Sequence, residues 1–87
     1  MKHAGADALD RLEPVLARLR AHPQLREKSR GVFYLRSKAF LHFHEDAAGL
    51  FADIRAPGAT DFDRIKVDDP AGVVELMARS RQALADG

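Results

Sequence analysis

Three short runs rich in aromatic and aliphatic residues follow one another in the middle of the chain, and they constrain the fold more than any other feature. They read GVFYLR, AFLHFHE and GLFADIRA, and only a few residues separate each run from the next. Such runs predict an antiparallel meander, because parallel strands need crossover connections of a dozen residues or more. The stretch DRIKV, at residues 63–67, can supply a short fourth strand.

Helices are predicted on both sides of the meander. Between residues 7 and 21, leucines recur at the spacing of one helical face. They are Leu9, Leu12, Leu16 and Leu19. Pro14 is compatible with a helix that starts near Asp10, and it would otherwise kink a longer one.

Asp69 followed by Pro70 is typical of a second helix start, and an apolar stripe runs on from there. Its members are Val73, Leu76, Met77, Ser80 and Leu84.

This order of elements, α-β-β-β-(β)-α, predicts one small α+β domain over residues 1–87. We expect a two-layer sandwich, with both terminal helices packed on one face of a three- or four-stranded antiparallel sheet. Residues 24–30 are interpreted as a charged connector. A chain of 87 residues is too short for two independent cores, and 46% hydrophobic with 31% charged residues is typical of a globular domain.

Composition excludes several classes of function. The chain contains no cysteine, which excludes disulfides, thiolate zinc sites and cysteine nucleophiles. A net charge of +1 argues against strong, indiscriminate nucleic-acid binding. The opening MKHAGADALD lacks the apolar segment of a secretory signal, and no run approaches the ~20 residues that span a bilayer. We therefore expect a cytoplasmic protein without a membrane partner, and the bias toward Arg, Ala and Asp indicates a high-GC bacterial source.

Alternation along the strands predicts which side chains share a face. Burial of the aliphatic set beneath the helices leaves a second set on the outer face. The buried set is Leu41, Phe43, Leu50, Ala52 and Ile54. The outer set is Phe40, His42, His44, Phe51, Asp53 and Arg55. A turn at residues 46–49 would pair Glu45 with Leu50 and place His42 beside Asp53. A three-residue loop with a bulge at Gly49 would shift this register by one.

The outer set contains a candidate metal site. His42 and His44 lie two residues apart on one strand, and Asp53 from the next strand would complete a set of two imidazoles and one carboxylate. Zinc hydrolases and non-haem iron enzymes use such sets. His3 and His22 lie in other segments, so no further ligand is predicted. The competing interpretation is that His42 and His44 are ordinary strand residues, with no cofactor bound.

The same face is also a candidate partner surface. Phe40 and Phe51 lie there with Arg55, and Arg64 and Lys66 of the fourth strand can join them. Rings among cations are typical of single-strand nucleic-acid platforms, but two exposed rings also favour self-association. No serine has the histidine and aspartate context of a nucleophile, so no catalytic residue is assigned. We expect a non-enzymatic binding or protein-interaction module, with self-association through this face. The alternatives are a metal-binding protein or metal-dependent enzyme, and a nucleic-acid-binding domain.

The central stretch GVFYLRSKAFLHFHEDAAGLFADIR resembles small bacterial proteins of unknown function that share an FLHFHED-type core. That core corresponds here to residues 38–55, about a fifth of the chain. The layout of strands, DRIKV and an Asp-Pro helix is similar to that of the MmcQ/YjbR-like family. That resemblance implies an α+β fold, in a family whose members have been proposed on fold grounds to bind DNA. It implies no functional residue for this chain.

Overall fold

The predicted meander forms the centre of a larger antiparallel sheet in the computed structural model, which describes residues 2–86. Six strands and three helices occur within these residues. In chain order they are β1 (Lys2–His3), α1 (Ala6–Arg11), α2 (Glu13–Arg20), β2 (Leu25–Ser29), β3 (Val32–Leu35), β4 (Lys38–Asp46), β5 (Gly49–Ile54), β6 (Asp63–Lys66) and α3 (Pro70–Asp86). The fold is an α+β sandwich, as the sequence predicts.

Strand β4 organises the sheet. The main strand order is β2-β3-β4-β5-β6, and β1 pairs with β4 outside this path. The first part of β4 pairs with β3, ending at Phe33↔Leu41, and the last part pairs with β1 at His3↔His44. The start of the chain is therefore placed beside the segment that carries the two central histidines.

The prediction of a charged connector at residues 24–30 is wrong, because this segment forms β2 and pairs with β3. Leu25 and Glu27 are half-buried, whereas Arg26 and Lys28 are exposed. Burial therefore alternates as in other strands, but charged residues occupy both kinds of position. Charges on an outermost strand discourage pairing with other chains, which explains why an edge strand need not look apolar. The sheet consequently exceeds the predicted three or four strands.

The first helical stripe is divided at Leu12. Helix α1 ends at Arg11 and α2 begins at Glu13, and Pro14 lies in the first turn of α2. A proline is tolerated there because the amide of a first-turn residue has no partner within the helix. The stripe itself continues across the break, and its leucines are all buried in one core.

That core lies between the helices and the sheet. The five residues predicted to face inward are all buried: Leu41, Phe43, Leu50, Ala52 and Ile54. Phe40 is the exception to the predicted alternation, since it is only 3% exposed and belongs to the core cluster. Pairing between β3 and β4 steps from Leu41 to Ala39 and leaves Phe40 without a partner on β3, and such a bulge breaks strict alternation.

Helix α3 starts where the sequence predicts. The Asp69 side chain accepts a hydrogen bond from the Gly72 amide at 2.8 Å, which is the expected N-cap contact. A Cβ atom at Gly72 would lie 1.7 Å from the carbonyl oxygen of Lys66, so glycine is needed for the helix to begin against β6. Among the described residues, no helix is long and apolar enough to cross a membrane.

Candidate metal site on the outer sheet face

The face of the sheet opposite the helices, called the outer face below, carries the predicted site. Strands β4 and β5 pair in the predicted register, with His42↔Asp53 and Glu45↔Leu50. The turn connecting them closes through Asp46↔Gly49, and no one-residue shift occurs. His42 and Asp53 are therefore neighbours.

A third histidine joins the two on β4. The side chains of His3, His42 and His44 offer ligand atoms that all lie within 4.8 Å of one another, and we call this set the histidine cluster. The His44 Nε2 atom lies 3.0 Å from His42 Nδ1. The His3 ring stacks on the His44 ring, with centroids 4.6 Å apart.

The backbone explains why these three rings meet. Residues two apart on a strand point to the same side, which brings His42 and His44 together. Pairing of β1 with β4 sets His3 directly opposite His44. Sequence reasoning missed His3 because β1 is only two residues long, too short to show a period. The histidine itself was visible, but nothing in the sequence connects it with β4.

Asp53 is held by Arg64 of β6. The Arg64 Nε and Nη2 atoms donate hydrogen bonds to Asp53 Oδ1 and Oδ2, at 2.8 and 2.9 Å. This guanidinium keeps the pKa of Asp53 below its usual range, although burial of the carboxyl opposes the effect. The second carboxylate oxygen also lies 3.3 Å from His44 Nε2. An ionised, nearly buried carboxylate thus stands beside the histidine cluster.

The contacts of the His44 ring indicate its tautomer. Its Nε2 atom faces both a carboxylate oxygen and the Nδ1 atom of His42, while its own Nδ1 atom is buried and has no hydrogen-bond partner among residues 2–86. We assign the proton of neutral His44 to Nε2, because that tautomer satisfies the contact with Asp53. Burial lowers the pKa of His42, and the neighbouring His44 adds to the effect. The neutral imidazole is the form that binds metals.

One side of the cluster is covered by Phe62. The centroid of the Phe62 ring lies 4.9 Å from that of His42. The Phe62 ring also contacts the Arg55 guanidinium, which lies 4.8 Å from its centroid. Phe62 was not predicted, since it lies in the loop between β5 and β6, where no periodic pattern identifies a face. This ring covers part of the His42 side chain, which is half-buried.

The outer face does not present the two rings on which the self-association and nucleic-acid hypotheses depend. Phe40 is buried in the core, which corrects its predicted exposure, and Phe51 is half-buried. Among the described residues, Val74 of α3 is the one large hydrophobic side chain that is strongly exposed. Arg55 is half-buried, and Arg64 and Asp53 are occupied by each other.

Comparisons of the chain with protein-family models, with curated proteins and with solved structures find no match. The resemblances noted in the sequence stay predictions. A function for this chain therefore has to be inferred from the geometry of the site.

Proposed function

We propose that this chain binds a divalent transition-metal ion, with Zn²⁺ the first candidate, through His3, His42 and His44. The observation that supports this proposal is the convergence of three imidazoles from two neighbouring strands. Imidazole nitrogen suits Zn²⁺, Cu²⁺, Ni²⁺ and Fe²⁺, whereas Mg²⁺ and Ca²⁺ prefer oxygen ligands. The set differs from the one predicted from the sequence by taking His3 in place of Asp53.

The distances are compatible with one bound ion. Zn–N bonds of about 2.1 Å in a tetrahedral site separate neighbouring ligand atoms by about 3.3–3.4 Å. The 3.0 Å separation between His42 Nδ1 and His44 Nε2 needs to widen by a few tenths of an ångström. For Nε2 to bind the ion, the proton of the His44 ring also has to move from Nε2 to Nδ1. The longer separations within the cluster need to contract. His3 is exposed on a two-residue strand, so its side chain is the one best placed to adjust.

We assign Asp53 to the support of the site and not to its ligand set. Arg64 already engages both carboxylate oxygens, so ligation by Asp53 would place an ion close to a guanidinium charge. From its present position, 3.3 Å from His44 Nε2, the carboxylate balances the charge of a nearby cation. Three protein ligands leave a fourth position for water or a small ligand.

Isothermal titration calorimetry of the untagged protein with ZnCl₂ at pH 7.5 tests this proposal. We expect one ion per chain, with a dissociation constant tighter than about 10 µM. His3→Ala is the most informative variant, because His3 is exposed and its loss should leave the fold intact. We expect it to weaken binding by more than the roughly 10–100-fold that changes beside a metal site produce.

His22→Ala provides the matched control, because His22 lies outside the histidine cluster. It should bind Zn²⁺ as the unmodified chain does. Equal weakening by His22→Ala and His3→Ala would show that binding is diffuse. Unchanged affinity in His3→Ala would contradict the proposed ligand set.

The proposal includes the expectation of a bacterial, cytoplasmic protein that acts by binding. Self-association through the outer face has weaker support, because Phe40 is buried and Phe51 half-buried. Sedimentation velocity with and without Zn²⁺ tests it. A dimer that forms only with Zn²⁺ and holds one ion per two chains would show that two copies share the ion.

A further inference from the structure

We propose a second binding site, for a small organic phosphate, in a groove at one end of the sheet. The groove has a volume of about 650 Å³ and lies between the β3–β4 turn and the loop that follows β5. We call it the basic groove and define it by Arg36, Lys38, Phe40, Arg55, Pro57 and Ala59. None of the residues in the histidine cluster lines it, so this proposal is independent of metal binding.

The charge of the groove favours an anion. Its charged lining residues are Arg36, Lys38 and Arg55, and none of the described residues that line it carries a carboxylate. These three cations form no ion pair with a carboxylate of the described residues. By contrast, Arg64 and Arg79 are each paired. The basic groove therefore holds three cations that have no carboxylate partner among the described residues.

Arg55 is already positioned for an anion. Its Nη2 atom donates a hydrogen bond to the carbonyl oxygen of Ala39, and its guanidinium lies over the Phe62 ring. Both contacts hold the side chain in place, while other N–H groups of the guanidinium remain to donate. Arginine binds phosphate through paired hydrogen bonds, and a pre-ordered side chain loses less entropy on binding.

The turn at the rim of the groove supplies a second, independent indication. Arg36 and Ser37 have φ angles of +54° and +71°, the left-handed region that residues other than glycine rarely adopt. Two-residue hairpin turns of this shape favour Asn-Gly, because both central residues need positive φ. Backbone strain that persists beside a cavity is a reason to look for a function there. This turn places the cation Arg36 at the groove where a more stable turn would use asparagine, and Ser37 where it would use glycine.

The size and chemistry of the basic groove indicate which ligand it can hold. Small-molecule sites commonly enclose about 300–1,000 Å³ and combine apolar walls with a few polar groups. Pro57 and Ala59 supply an apolar wall, and Phe40 contributes the buried floor. Three cations suit the double negative charge of a phosphate monoester better than a single carboxylate. A mononucleotide has both the phosphate and the flat ring that this arrangement accepts.

A ¹⁵N–¹H correlation titration with adenosine monophosphate (AMP) tests the proposal, with adenosine and inorganic phosphate as separate probes. We expect AMP to cause saturable shifts at residues 35–40 and 55–60, and each of the two partial probes to bind more weakly. Lys38→Ala should weaken AMP binding about tenfold, since a charged hydrogen bond is removed. Arg55→Ala should weaken it too, but Arg55 also contacts Phe62, so Lys38→Ala is the cleaner variant.

Arg81→Ala is the matched control, because Arg81 is an exposed cation of α3 and does not line the groove. It should bind AMP as the unmodified protein does. Absence of saturation at about 10 mM AMP would overturn the proposal, as would equal affinity in Lys38→Ala. Much tighter binding of an eight-residue oligodeoxythymidylate would also overturn it, in favour of a single-strand surface.

Discussion

Arg64 and Asp53 form a paired hydrogen-bond contact across strands β5 and β6, with both carboxylate oxygens engaged at 2.8 and 2.9 Å. The aspartate is almost buried, whereas the arginine side chain is 48% exposed. The contact keeps a negative charge beside His44, in a place where an unpaired carboxylate would be unfavourable. The charge beside the histidine cluster therefore depends on a residue of the outermost strand.

Replacement of Asp53 tests this dependence. We expect Asp53→Asn to lower the free energy of unfolding by about 1–2 kcal/mol, because an almost buried acceptor of charged hydrogen bonds is lost. Asp63→Asn is the matched control, since Asp63 pairs with Arg79 on the exposed surface. That change should cost about 0.5 kcal/mol or less. Urea denaturation at pH 7 measures both, and equal effects would show that Asp53 stabilises no more than a surface charge does.

The fold could be predicted because alternation and short turns together determine a register. Leu41 and Phe43 on β4 must lie on the same buried face of the sheet as Ala52 on β5. A shift of the strand register by one residue would have exposed them all. Strand β2 could not be predicted, because an edge strand is stabilised by backbone pairing with β3 and carries charged side chains. Local composition at residues 25–29 therefore indicates solvent exposure and does not indicate a strand.

The candidate site likewise has contacts that could be predicted from the sequence and contacts that could not. The proximity of His42 and Asp53 followed from the register of one hairpin. The approach of His3 depends on pairing between residues about 40 positions apart, and two residues carry no periodic signal. Phe62 reaches His42 from a loop, where side-chain direction depends on tertiary packing. Contacts within a hairpin can thus be predicted from the sequence, whereas contacts between distant segments of the chain cannot.

The turn at Arg36 and Ser37 offers a test of how much its backbone strain lowers stability. We expect the double change Arg36→Asn, Ser37→Gly to raise the free energy of unfolding by about 1 kcal/mol, because both residues then suit positive φ. Thermal unfolding followed by circular dichroism measures the effect. Arg36→Asn alone is the control, and it should recover only part of the gain. A lower stability for the double variant would show that the Arg36 and Ser37 side chains support the native turn.

Gly72 offers a test of packing at the start of α3. We expect Gly72→Ala to destabilise the protein by about 3 kcal/mol or more, because the added methyl group would collide with the Lys66 carbonyl. Gly58→Ala is the matched control: its φ is +82°, and no atom lies within 4 Å of the added Cβ. Its penalty should be near 1 kcal/mol, from backbone strain alone. Denaturant midpoints compare the two, and equal losses would place the effect of Gly72 in its backbone and not in the collision.

Burial of His42 makes the stability of the protein depend on pH. Burial lowers the pKa of His42 in the folded protein, so as pH falls below about 6.5 the unfolded chain binds a proton that the folded chain does not. The free energy of unfolding of the metal-free protein should therefore be level from pH 8 to 7 and decline below 6.5. This one group contributes at most about 1.4 kcal/mol per pH unit.

A second decline should follow near pH 4 and below, because Arg64 lowers the pKa of Asp53 and the stability from that contact is lost only as the carboxylate protonates. Urea denaturation from pH 8 to 3.5 measures both steps. His42→Gln should remove the decline near pH 6, while His22→Gln should retain it. A stability that rises as pH falls from 7 to 5.5 would contradict the lowered pKa of His42 in the folded protein.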